Sequence, residues 1–290
     1  MVGSIFTMTP LVQSCPSATA LHIARQRALH QIVDSEVFFA DPLALAILGE
    51  TAEHLEKAEA ESAKTRLRYF LAARHRIAED ALANTLSSGM KQVVILGAGL
   101  DTLALRNPFP NHHLHFFEVD RPDVQQWKLA QCRQQGLTLP VNLTSVPVNF
   151  ETDDLADRLD EHGFDRTQPA FFIWLGVVPY LSRAAIVQTL TFVGSIPKAH
   201  IVFDYNEPIT NYAEPERESL RARERAVAAL NEPYLSRFNP EDIDTILTHA
   251  GFSFVLDRDR YDLAAYFGKN VIRPAGRQGS AHIVQAWRET

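Results

Sequence analysis

The stretch VVILGAGLDTLALR, residues 93–106, runs four apolar strand formers into two glycines one residue apart, Gly97 and Gly99, and then into Asp101 and Thr102. In a doubly wound sheet the turn after the first strand lies at the carboxyl edge, where ligands bind, and glycines there let the backbone approach a ligand closely. On the dinucleotide fingerprint G-x-G-x-x-G the third glycine position is Thr102, and Asp101 puts a negative charge where a pyrophosphate would sit. The loop therefore disfavours a nicotinamide dinucleotide and suits a ligand without phosphates.

Outward from this turn, short β-branched or aromatic runs alternate with longer segments of helical period, which is the signature of an α/β fold. Strands are predicted over 92–96, 115–119, 145–148, 170–175, 200–205, 253–256 and 281–287. The first five are apolar enough for burial on both faces, as in a parallel sheet covered by helices. Helices are predicted over 123–135, 155–161, 183–193 and 241–250. The last two strands are joined by a segment read as a loop, so they form an antiparallel hairpin at the sheet edge. The expected fold class is α/β, a doubly wound, seven-stranded, mostly parallel sheet with a helical cap. A flexible tail (1–17) precedes a single domain (18–290), whose N-terminal part (18–89) is helical and whose charged insert (206–238) acts as a lid.

The chain has 28 Lys and Arg against 35 Asp and Glu, a net charge of −7, so it lacks the basic field that attracts nucleic acid or an anionic membrane. A small-molecule acceptor is the expected partner; nothing in the sequence indicates the oligomeric state. Two cysteines, Cys15 and Cys132, form neither a disulfide framework nor a metal-spaced cluster, which suits a reducing, cytoplasmic setting. Pro10 and Pro16 interrupt the N-terminal apolar residues, making a poor signal peptide. The apolar segment 170–181 is shorter than the roughly 20 residues of a membrane-spanning helix. His112 and His113 sit in a proline-rich turn without partners at ligand spacing, and no metal site is expected.

Two further features define the ligand. Asp120 closes the second strand in FFEVD, 23 positions after Gly97, near the spacing of about 20 at which an acid accepts hydrogen bonds from ribose hydroxyls. Glu118 and Asp120 are also placed to cap the helix that follows. Upstream, the helix AKTRLRYFLAARHRIAEDALANTLSSG has an apolar stripe through Leu67, Leu71, Ile77, Ala78, Ala81 and Leu82, and Arg74 falls on it. A guanidinium on a buried face requires an anion, either a ligand carboxylate or an internal acid such as Asp41. Arg76 faces the other way and can pair with Asp80. A ribose, a carboxylate and no phosphate together describe S-adenosyl-L-methionine.

The strings ARHRIAEDAL, KQVVILGAGLDTLALR, FEVDRPDVQQWK, VPVNFETDDLADRL, FFIWLGVVPYLS and VFDY resemble, in order, the class I S-adenosylmethionine-dependent methyltransferases of the leucine carboxyl methyltransferase group, in the bacterial branch near polyketide O-methyltransferases. The resemblance implies that Arg74 binds the methionine carboxylate, that Gly97 and Gly99 lie under the amino-acid moiety, and that Asp120 accepts from the ribose. It further implies adenine contacts from Asn149 and Phe150, and a role in secondary metabolism. Two positions depart from the family pattern. Leu175 stands where relatives have a glutamate that holds the methionine amino group, leaving Glu118 or a backbone carbonyl for that task, and Leu103 stands where many have arginine.

Methyl transfer from a sulfonium asks the protein mainly for positioning and exclusion of water. Tyr180 and Tyr205, with Asn206, follow the fourth and fifth strands and are the candidates for acting on the acceptor. The expected activity is O-methylation of a carboxylate or hydroxyl of a small metabolite. A nicotinamide oxidoreductase and a non-catalytic S-adenosylmethionine sensor, the latter suggested by Leu175, are the alternatives.

Overall fold

The computed structural model describes residues 17–34, 38–60, 65–276 and 278–289. Seven strands, β1 (Gln92–Leu96), β2 (His115–Asp120), β3 (Leu143–Pro147), β4 (Ala170–Trp174), β5 (His200–Asn206), β6 (Phe254–Arg258) and β7 (Ala281–Trp287), form one sheet in the order β3-β2-β1-β4-β5-β7-β6. The first five run parallel, and β7 pairs antiparallel with both β5 and β6. The order reverses between β1 and β4, so the loops leaving these two strands diverge and open a crevice at their carboxyl ends.

Helices α1 (Ala18–Ile32), α2 (Ala52–Ala60) and α3 (Thr65–Thr85) precede the sheet. The short α4 (Leu103–Arg106) follows the glycine turn, and α5 (Pro122–Gln134), α6 (Leu155–Glu161) and α7 (Arg183–Ser195) are crossovers. The insert carries α8 (Glu214–Ala228), and α9 (Pro240–His249) and α10 (Arg260–Tyr266) flank β6. Side-chain alternation along the strands divides the core in two. Val93, Ile95, Ile173 and Val202 face α3, while Val94, Phe172, Trp174 and Phe203 face α6, α7 and α9.

Two details differ from the sequence expectations. The connection between β6 and β7, expected as a loop, contains α10. Its cap was encoded: Asp259 accepts from the Tyr261 and Asp262 amides, and the Asp262 carboxylate accepts from the Asp259 amide. The two strands do form the expected antiparallel pair at the sheet edge, with β6 as the border and β7 between it and β5. β3 is the opposite border, so its residues are mostly half-buried rather than covered on both faces. The tail expectation falls on residues 1–16, outside those described; Ser17 is the N-cap of α1, accepting from the Ala20 amide at 3.1 Å. No helix among the described residues is long and apolar enough to cross a membrane.

Candidate cofactor and acceptor site

A cleft of about 1370 Å³ opens at the carboxyl ends of β1, β2, β4 and β5, walled by α1, α3, α10 and the insert. The glycine turn lines it. Gly97 and Gly99 have φ of +67° and +46°, and a Cβ on Gly97 would run into the Val177 side chain, so this turn requires glycine. The Gly97 and Ala98 amides both donate to the Val119 carbonyl, at 2.8 and 3.0 Å, fixing the turn to β2. The Gly99 amide donates to Asp120 Oδ2 at 2.6 Å, and the Arg121 amide to its Oδ1 at 2.7 Å. Burial raises the Asp120 carboxyl above the ordinary aspartate value, and the amide donors partly offset this. A carboxylate has about four acceptor sites, so Asp120 retains capacity for the hydroxyls of a ligand.

Asp101 also lines the cleft. Its Oδ1 accepts from the Leu103 amide at 2.7 Å, and its Oδ2 is 3.5 Å from His75 Nδ1. His75, not singled out by sequence, lines the same cleft, and its buried Nε2 has no hydrogen-bond partner among the described residues. Burial, followed by the nearby arginines Arg27 and Arg74, depresses its pKa well below the usual histidine value and keeps the ring neutral. Glu118 does not reach the cleft. It lies beneath the turn, where its Oε2 accepts from Lys128 Nζ at 2.6 Å, while Lys128 also donates to the Asp101 carbonyl at 2.6 Å. Glu118 shares the Asp120 face of β2 but sits two residues back from the strand end, so Asp120 is the residue at the cleft and Glu118 is a buried support to the loop; it is not available for the methionine amino group.

Arg74 is buried and lines the cleft, and its acid is not Asp41. Asp41 pairs with Arg27 at 2.7 Å and accepts from the Thr102 hydroxyl. Arg74 Nη1 instead donates to Asp204 Oδ2 at 3.0 Å, and Asp204 Oδ1 accepts from the Gly176 amide at 2.5 Å. Asp204 is a cleft-lining acid that sequence reasoning missed, although VFDY held the signal: alternation from Val202 places an acid on the α3 face of β5. The register pairs Ile173 with Val202 and Trp174 with Phe203, so one step further Leu175 stands level with Asp204. An acid absent at 175 is thus present on the neighbouring strand. Arg76, as expected, points outward and binds Asp80 at 2.8 Å.

Asn149, Phe150 and Leu175 line the cleft, with Phe150 against Trp174 at 6.2 Å between ring centroids. Tyr180 and Asn206 also line the cleft, and Tyr180 meets Tyr234 of the insert edge-on at 5.2 Å. Tyr205 does not face the cleft. It is fully buried on the other side of the sheet, stacked on His282 at 4.7 Å, with its hydroxyl donating to Asp257 at 2.6 Å. The same alternation that brings Asp204 and Asn206 to the site turns Tyr205 away, and the candidate role passes to Asn206.

The insert closes on itself, with the Phe238 amide donating to the Asn206 carbonyl at 3.1 Å. It also reaches over the cleft to α1, where Glu232 accepts from the Thr19 amide at 3.0 Å.

A model of the leucine carboxyl methyltransferase family matches residues 20–194. YktD of Bacillus subtilis (strain 168), named as an S-adenosyl-L-methionine-dependent methyltransferase, is 33% identical over 262 residues, covering 81% of this chain and 86% of its own. A protein of Frankia alni with the same designation is 29% identical over 282 residues, covering 93% and 94%. A crystal structure from Thermobifida fusca YX, described as a methyltransferase, superposes with a TM-score of 0.55 over 85% of this chain and 93% of that one, at 14% identity. That likeness is one of fold.

Proposed function

The protein belongs to the leucine carboxyl methyltransferase family and is an S-adenosyl-L-methionine-dependent methyltransferase, and we propose that it methylates a carboxylate oxygen of a small apolar acid. Family membership sets aside the nicotinamide oxidoreductase. The non-catalytic sensor loses its motive, because Asp204 offers the acid that Leu175 lacks.

The observation that carries the cofactor assignment is the donor and acceptor set around the crevice. Arg74 and Asp204 present opposite charges side by side, matching the carboxylate and ammonium of an α-amino acid, and Asp120 presents a carboxylate for ribose hydroxyls. Asn149 and Phe150 would flank the adenine, and the Gly97–Gly99 turn would pass beneath the amino-acid portion. When bound, S-adenosylmethionine supplies a methyl group activated on a sulfonium.

This chain's residues then position the acceptor and exclude water from it. Tyr180 and Asn206 line the cleft, as do the apolar side chains Phe70, Leu263 and Phe267. Taking water from a carboxylate here raises its nucleophilicity without any proton transfer.

Carboxylate over hydroxyl is supported by the state of the acid–base groups along the acceptor half. Glu216 pairs with Arg260, Glu232 accepts from the Thr19 amide, and Glu151 accepts from Ser182. Burial pushes the Tyr180 phenol above its ordinary value, so it stays protonated at neutral pH. A carboxylic acid arrives ionised and needs no base, whereas a phenol near pKa 10 benefits from one.

The test is a methyl-transfer assay over matched carboxylic acids, phenols and alcohols, following ester or ether formation against pH. The expected result is ester from the acids, with a rate flat from neutral to mildly alkaline pH. Transfer confined to phenols, rising through the phenol's own pKa, would overturn the carboxylate assignment.

A further inference from the structure

Small-molecule sites occupy about 300–1000 Å³. At about 1370 Å³, this cleft has room for an acceptor of substantial size beside the cofactor. Its lining includes Tyr69 and Phe70 of α3, Leu220 of α8, Leu263 of α10 and Phe267 at the end of that helix. Arg66, Arg223 and Arg260 line the same cleft, the first two of them exposed, although the whole chain carries a net charge of −7.

Two of these arginines are unexplained by the fold. Arg260 is satisfied by Glu216 at 2.7 Å and lies over the Tyr212 ring. Arg66 and Arg223, which also line the cleft, have no ion-pair partner among the described residues. Arg223 shares one face of α8 with Glu216 and Leu220, at spacings of four and three, so the face that carries the apolar contact also carries this charge. Arg66 sits in the first turn of α3, which holds no acid, where the helix dipole disfavours a cation. An isolated helix would not choose that placement, and an anion in the cleft mouth would reverse its sign.

We propose that Arg66 and Arg223 hold a second, non-reacting anionic group at the far end of the acceptor, a carboxylate or phosphate, so that the substrate is an apolar acid charged at both ends. This rests on the reading that the reacting group is a carboxylate delivered to the inner end of the same cleft. The apolar body lies along the α3 and α10 wall, and the arginines select acceptors by what they carry beyond the reach of the chemistry. Guanidinium groups suit this task because their planar donors match both carboxylate and phosphate.

The experiment measures binding to the full chain saturated with S-adenosylhomocysteine. The probes are a graded series of straight-chain monocarboxylic acids, with matched α,ω-dicarboxylic and ω-phosphorylated acids. One or both doubly charged series should bind about fivefold tighter than the monoacids of equal length, as for an exposed charge pair, and the preference should shrink as salt is raised. It should disappear in the Arg66→Gln, Arg223→Gln double variant, whose S-adenosylhomocysteine affinity reports that the protein is folded. Equal binding of all series, no binding by any, or a preference that survives the double substitution would overturn the proposal. Acids that bind with the expected preference yet give no ester in the methyl-transfer assay would strike the carboxylate reading alone, and failure of S-adenosylhomocysteine itself to bind would strike the cofactor assignment, so the failures are distinguishable.

Discussion

Arg74 and Asp204 form a buried ion pair, 3.0 Å apart, across the contact between α3 and β5, and both also line the cleft beside the glycine turn. A buried pair of this kind is weak evidence for stability, since the charges could be replaced by apolar residues at little cost. Its position at the ligand crevice gives it a different use, as a ready counterpart to an amino-acid zwitterion. Asp204→Asn preserves an acceptor for the Gly176 amide but removes the charge. Calorimetry should show S-adenosylhomocysteine binding weakened by about 1.5–3 kcal/mol, the worth of a charged hydrogen bond. Arg74→Ala should lose binding and also about 3–5 kcal/mol of stability, because Asp204 is left buried without its cation. A thermal midpoint unchanged in Arg74→Ala would contradict this.

Gly176 has φ of +75°, and a Cβ there would approach the Arg74 guanidinium nitrogens to 2.8 and 2.9 Å. Gly176→Ala should therefore displace Arg74 and strain the backbone, costing about 1–3 kcal/mol in stability and reducing cofactor affinity. Gly163→Ala, at a positive φ with open space around it, is the control: chemical denaturation should show a stability loss while ligand affinity stays unchanged.

Asp120 gives opposite pH signatures for binding and for stability. Burial raises its folded pKa above 3.8, so it takes up a proton at higher pH than an ordinary aspartate. The ribose requires an acceptor, and cofactor affinity should fall as pH is lowered through that raised value. Its contribution to stability runs the other way: complete below 3.8, it is lost as pH rises through the folded pKa. The difference between wild type and Asp120→Asn, in calorimetry and in denaturation across acid pH, should show both slopes; a parallel fall in the two would refute the assignment.

The two tyrosines separate by readout. Tyr180→Phe should alter KM for the acceptor while kcat falls less than about tenfold, since a protonated phenol can position but not abstract a proton. Tyr205→Phe should leave both constants near wild type. It should cost about 1–3 kcal/mol of stability, because Asp257 loses a buried donor. A kcat collapse in Tyr205→Phe would return that residue to the active site.

The insert spanning residues 206–238 touches α1 through Glu232 and the Thr19 amide, and a ligand beneath this bridge should order it. Limited proteolysis should cut the insert more slowly with S-adenosylhomocysteine present. Identical cleavage rates would remove the lid role.

The sheet was legible because its central strands are apolar on both faces and its turns carry glycine or acid at the edge; β1 and the less apolar β7 match their expected bounds residue for residue. What failed was reading which face a side chain takes. Glu118 and Tyr205 both lie near strand ends in sequence, but depth along β2 leaves Glu118 beneath the glycine loop and alternation along β5 turns Tyr205 into the opposite core. Asp204 went unnoticed for the same reason. The helix α10 was passed over because its seven residues are too few to show a period, although the D-R-Y-D cap announced its start. The edge character of β3 depends on which strands become neighbours, and that is a property of the assembled sheet.

The most direct test of the cofactor assignment is a calorimetric comparison of S-adenosylhomocysteine with 5′-methylthioadenosine, which keeps the nucleoside and lacks the amino acid. With Arg74 and Asp204 reading the zwitterion, wild type should bind S-adenosylhomocysteine at least about 1.4 kcal/mol, or tenfold, tighter, and Asp204→Asn should narrow that gap. Equal affinities in wild type, or a gap that Asp204→Asn leaves untouched, would contradict it.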